Sequence, residues 1–186
     1  MTGRVEELKR NYEIEIRWRA FPLHPETPAE GRLIVDLFRG YPMDVDAMMK
    51  RLRDTATELG LPLGERDKTY NSRLAQELGL WAETEGAGEA FHKAAFKAYF
   101  VDGKNIARTP VLTDLAASVD LSSETAEDVL NNRLFKASVD QDWTDSRELG
   151  ITAVPTFLMN KDRLVGAQSY EMLENFVAMQ GAGKLV

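Results

Sequence analysis

Cysteine is absent from all 186 residues. Without it the chain can form no disulfide, present no thiolate nucleophile and hold no zinc through sulfur. Long apolar runs are missing as well. No window reaches the roughly 18 consecutive apolar residues that a membrane-spanning helix needs, and the opening Met1 to Arg10 is charged where a signal peptide would be apolar. A soluble, cytoplasmic chain is expected. Positive charge is scarce, with 23 Lys and Arg against 30 Asp and Glu for a formal charge of -7, which disfavours nucleic acid and anionic membrane as partners. Histidine occurs only at His24 and His92, with no His-x-x-x-His spacing, so a metal site is not expected and both histidines read as structural; no cofactor is expected. What is present is 44% hydrophobic content, enough for one domain or one domain with a large insertion.

Periodicity places the elements. Val5, Leu8 and Tyr12 form one stripe of a first helix. Glu13 to Arg19 then alternates, with Ile14, Ile16 and Trp18 on one side and charged residues on the other, the pattern of a strand with one drier face. A turn-rich stretch, Phe21 to Gly31, ends it. Helices are expected over Leu33 to Phe38, Val45 to Leu59 (capped by Asp44 and stopped by Gly60), Ser72 to Glu85, Gly88 to Val101, Pro110 to Val119 (with Thr109 as cap), Ser123 to Phe135 and Lys136 to Leu149. Ile151 to Met159 and Arg163 to Gly166 read as a hairpin turning at Asn160, Lys161 and Asp162. Ser169 caps a last helix, and the tail from Gly181 to Val186 is too rich in glycine to hold structure by itself. This order fits an α/β fold, a parallel sheet interrupted by helices.

Ala153-Val154-Pro155-Thr156-Phe157, followed by a hairpin and a capped terminal helix, resembles the second half of a thioredoxin fold, in which a cis-proline opens a core strand. Only about 5% of X–Pro bonds in folded proteins are cis, so it is the resemblance that implies a cis bond here. Arg17-Trp18-Arg19-Ala20-Phe21-Pro22-Leu23, Tyr70-Asn71-Ser72-Arg73, and Ala98-Tyr99-Phe100 with Asp102-Gly103-Lys104-Asn105-Ile106 are similar to the cytoplasmic DsbA-like branch related to 2-hydroxychromene-2-carboxylate isomerases and kappa-class glutathione transferases. The likeness runs from about Gly3 to about Val177. It implies a thioredoxin-like core over 1–40 and 150–186 around an all-helical insertion over 41–149. Such proteins begin with a strand leading into Cys-x-x-Cys at a helix N-terminus, which lowers the pKa of the first thiol. Met1 falls where that motif would already have ended. The first core strand and the thiol motif are thus expected to be missing, through a start assigned too far downstream or a domain built without them; loss of a core strand is the larger defect and favours the former.

The resemblance implies an oxidoreductase of the thiol-disulfide type, inactive in redox chemistry as the chain stands and with no catalytic residue of its own. A glutathione-dependent isomerase or transferase and a non-catalytic peptide-binding module are the alternatives. By the same resemblance, Val154, Pro155 and Thr156 would offer backbone to an extended peptide or to a small thiol compound such as glutathione. The other reading of Pro155 is a strand start. Asn71 and Arg73 could orient a polar substrate, or serve as a helix cap and a solvated charge. The resemblance to kappa-class transferases also implies that Gln168 and Ser169 lie where the glutamyl end of glutathione would be held, against the simpler reading of Ser169 as a cap. Gly103-Lys104-Asn105 lacks the first glycine and the final Ser or Thr of a phosphate loop, and Trp18, Trp81 and Trp143 read as core. A missing strand would leave unpaired edges, which a segment of a second copy could fill to give a homodimer.

Overall fold

Apolar spacing and end chemistry together account for where the backbone coils. In the computed structural model, which describes residues 2–42, 44–58 and 60–185, the elements run α1 (Thr2–Asn11), β1 (Arg32–Leu33), α2 (Ile34–Leu37), α3 (Val45–Glu58), β2 (Lys68–Thr69), α4 (Arg73–Thr84), α5 (Gly88–Phe100), α6 (Thr109–Ala117), α7 (Ser123–Asn131), α8 (Lys136–Glu148), β3 (Thr156–Met159), β4 (Asp162–Val165) and α9 (Tyr170–Met179). Asp44 Oδ1 accepts the Ala47 N–H at 2.9 Å at the start of α3. Past its end Leu61 N–H returns to the Ala56 carbonyl, with Gly60 at φ +64. Leu59, the last residue of the expected α3 stripe, lies outside the described residues. Ser122 and Ser169 cap α7 and α9 by accepting the N–H of Thr125 and of Met172. Helix α6 starts one residue earlier than expected, with Arg108 at the cap and Pro110 in the first turn.

Two expectations are corrected. The strands make two separate antiparallel pairs, β1 with β2 and β3 with β4, and among the described residues no parallel sheet forms. Nor is Glu13 to Arg19 a strand, since among the described residues the only pairing nearby is a single bridge between Tyr12 and Lys184. Its alternation is nevertheless kept: Ile14, Ile16 and Trp18 are half-buried, while Glu13, Glu15, Arg17 and Arg19 are exposed. Period-two burial requires one dry face; a ladder additionally requires a neighbouring strand. The tail is held by another segment, through the Glu13 N–H on the Gly183 carbonyl and the Leu185 N–H on the Asn11 carbonyl, both at 2.8 Å.

The chain divides into two compact units, one of Met1–Leu23 with Asp142–Val186 and the other of His24–Gln141, the boundary falling within α8. In the first, Leu8, Tyr12, Leu173 and Val177 form a core against which Ile14, Phe157, Met159 and Leu164 pack. In the second, Leu78, Trp81, Phe91, Leu112, Val129 and Leu130 are buried together across α4 to α7. Trp81 is core as expected, whereas Trp18 and Trp143 are half-buried. No helix among the described residues is long and apolar enough to cross a membrane.

Leu78 has no exposed surface, so truncation leaves a cavity that the packed helices cannot close. The Leu78→Ala variant is expected to lose about 3 kcal/mol of stability, read as a lower urea midpoint at unchanged slope; a loss under about 1 kcal/mol would show that this site collapses freely.

Candidate functional site

Helix α8 stops because Gly150 takes φ +63 and lets the Ile151 N–H return to the Ser146 carbonyl. The released chain then reaches Val154-Pro155, whose peptide bond is cis, as the resemblance implies, and enters β3. Three contacts fix this corner. Thr156 Oγ1 donates to the Ala153 carbonyl at 2.6 Å, the Gly166 N–H donates to the Pro155 carbonyl at 2.8 Å, and Thr156 pairs with Val165 across the hairpin. Gly166 accomplishes the return at φ +91, which glycine alone adopts without strain. Val154 itself is 44% exposed, and neither its N–H nor its carbonyl is bonded to a described residue. Beside it lies a depression of about 130 Å³ lined by Gly150 to Ala153, Thr156, Arg163 and Val165.

Gln168 joins this corner through its Nε2, which donates to the Val165 carbonyl at 2.6 Å, while its backbone carbonyl accepts from Arg4 Nη1 at 2.7 Å. Ser169 Oγ is engaged as the α9 cap, 3.2 Å from Met172 N. Val154, Pro155, Thr156, Gln168 and Ser169 are thus brought together in the first unit.

Asn71 and Arg73 belong to the second unit, and structural partners occupy both. Asn71 Nδ2 donates to the carbonyls of Pro25 and Thr27, and its Oδ1 accepts the Arg73 N–H. Asn105 repeats the arrangement, donating to the Ala29 carbonyl and accepting the Ala107 N–H. The two asparagines therefore pin the turn-rich segment after Leu23, an ordinary use of a side chain that can serve as donor and acceptor at once. Arg73 Nε donates to Glu77 at 2.6 Å, and its Nη2 to Asp140 and the Lys136 carbonyl.

Two networks escaped the sequence reading. Glu77, 1% exposed, is also gripped by Arg133 through two hydrogen bonds of 2.8 and 2.6 Å. Its i,i+4 spacing from Arg73 was a visible signal; Arg133, at φ +52 in the turn after α7, was not. Burial alone would raise the Glu77 carboxyl, but the bonds from Arg133 and Arg73 and their positive charges outweigh it and hold the group below its usual 4.5. Asp142, 3% exposed, accepts the Ala20 N–H at 2.9 Å and pairs with Arg19, which also reaches Asp145. His24 and His92 are half-buried, and among the described residues no cluster of three or more His, Cys, Asp or Glu is placed to hold a metal.

A cis-proline corner closing a hairpin on a terminal helix, within a helix-rich α/β chain, defines a thioredoxin-like domain. The sequence matches the DSBA-like thioredoxin domain family over residues 1–178, and the chain belongs to that family, in a form without the thiol motif. Its structure is similar to the probable DsbA oxidoreductase SCO1869 of Streptomyces coelicolor, with TM-score 0.87 and 23% identity over 97% of this chain and 82% of the other. It is similar also to a 2-hydroxychromene-2-carboxylate isomerase, with TM-score 0.70 and 18% identity over 96% and 85%. A third likeness is to the cytosolic disulfide reductase DsbM of Pseudomonas aeruginosa, with TM-score 0.65 and 21% identity over 96% and 88%. DsbM has also been solved with GSH, a structure matched at TM-score 0.56 and 21% identity over 80% of this chain and 78% of that one.

Because the folded Glu77 carboxyl lies below its usual 4.5, its contribution to stability is complete above the unfolded value and disappears as pH falls through the folded one. Glu77→Gln leaves two guanidinium groups facing a neutral amide. It should cost about 3 kcal/mol at pH 7 and flatten the acid limb of the stability profile, which urea titrations between about pH 3 and 7 would reveal; an unchanged acid limb would refute the assignment.

Proposed function

We propose that this chain is a ligand-binding member of its thiol-disulfide oxidoreductase family, and that the ligand is an extended peptide or a small thiol compound such as glutathione laid against Val154, Pro155 and Thr156. The observation that carries this reading is Val154, an exposed residue at the mouth of a strand whose N–H and carbonyl are bonded to no described residue. An extended chain running alongside satisfies both groups by main-chain hydrogen bonding, a mode that requires no side chain from the protein. The GSH-bound form of DsbM, a family neighbour, supports the small-thiol version. Thiolate attack is closed to the chain, which has Cys 0. Gln168 and Ser169 border the groove with their side chains already in use, and Asn71 and Arg73 contribute by positioning elements of the second unit. We place the protein in the cytoplasm, in keeping with cytosolic DsbM. We also expect a homodimer, since residues 13–19 keep one dry face and have no ladder among the described residues.

Titrating glutathione and short capped peptides into isotopically labelled protein tests the groove. The Val154 amide should shift in a saturable way with at least one of them, and a spectrum unmoved at millimolar ligand would sink the reading. In insulin-reduction and scrambled-disulfide assays the chain should match the no-enzyme control, since exchange begins with a thiolate; turnover above that control would contradict it. Sedimentation to a monomer mass would rule out the dimer.

A further inference from the structure

Cross-strand pairing in the hairpin sets Thr156 opposite Val165 and Leu158 opposite Arg163, so these four side chains share one face. Phe157, Met159 and Leu164, on the other face, enter the core. The outward face is unusually apolar for one turned to solvent: Leu158 and Val165 are each 46% exposed, beside Val154 at 44%. Within it stands one cation. Arg163 Nη1 donates to the Leu149 and Gly150 carbonyls at 3.1 and 3.3 Å, orphan acceptors at the end of α8. These bonds hold the guanidinium on the wall of the depression beside Val154.

No carboxylate among the described residues pairs with Arg163, although the chain carries seven more acidic than basic side chains. The hydrogen bonds use a single nitrogen, which leaves Nε and Nη2 as donors in fixed geometry. A preordered, uncompensated guanidinium in a polar depression, flanked by exposed aliphatic side chains, is complementary to a carboxylate carried on an apolar chain.

Resting on the reading of Val154 as ligand-binding backbone, we propose that Arg163 makes the groove selective for an acidic extended peptide. Its main chain lies along Val154, its apolar side chains rest on Leu158 and Val165, and one Glu or Asp carboxylate pairs with Arg163 in the depression. The test uses short capped peptides of alanine, valine and serine in which a single Glu, or Gln as control, is moved through each position, with binding followed by calorimetry and by the Val154 amide resonance. At one position Glu should bind about fivefold more tightly than Gln. The advantage should shrink between about 50 and 500 mM salt, disappear in Arg163→Gln and survive in part in Arg163→Lys. Unchanged affinity of Arg163→Gln for the Gln peptide confirms that the groove is intact. Equal binding of Glu and Gln peptides, or a Glu preference that persists in Arg163→Gln, overturns the role of Arg163 while a shifted Val154 amide keeps the groove; no Val154 shift with any peptide overturns both.

Discussion

A single buried carboxylate organises the helical unit. Glu77 is 1% exposed and would be intolerable there as an isolated charge, yet Arg73 from its own helix and Arg133 from the turn after α7 supply three hydrogen bonds to it. The consequences spread outward. Arg133 is held in a left-handed conformation that a non-glycine residue adopts at a cost, and Arg73, once committed to Glu77, also ties down Asp140 and the Lys136 carbonyl at the start of α8. Arg73, which the family resemblance places near a substrate, also brackets α4 to the start of α8.

The same economy appears in the other motif residues. Asn71 and Asn105 each accept the N–H two residues on, of Arg73 at the start of α4 and of Ala107 in the turn before α6, and donate sideways to the segment Pro25 to Ala29. Arg19 and Ala20 converge on Asp142, and Tyr99 Oη joins Arg66 and Thr69. In this chain these stretches hold loops against helices. The corner at Val154, whose N–H and carbonyl are bonded to no described residue, and the guanidinium of Arg163 next to it are where we propose that a ligand binds.

Much of this was legible beforehand. Caps at Asp44 and Ser169, stops at Gly60 and Gly150, and the proline at the first turn of α6 are local chemistry, written within a few residues of where they act. The corner at Val154-Pro155 was legible only through the resemblance, because a proline at a strand start is locally compatible with either isomer. Arg163 could not be singled out: in the sequence it is one charged residue in a short strand, and its significance comes from the α8 carbonyls it meets.

Residues 13 to 19 mark the division most clearly. By itself the sequence determined which side chains of that segment turn inward, since alternation of Ile14, Ile16 and Trp18 with charged neighbours follows from the two-residue repeat of extended backbone and the hydrophobic effect. It likewise determined the helices, whose hydrogen bonds close within four residues. Only the tertiary structure decided that the segment forms no ladder among the described residues, that the sheets are two antiparallel pairs, and that Glu77 receives Arg133 from 56 residues away. Each of these depends on a partner distant in sequence, and a residue carries no local mark of the group that will face it.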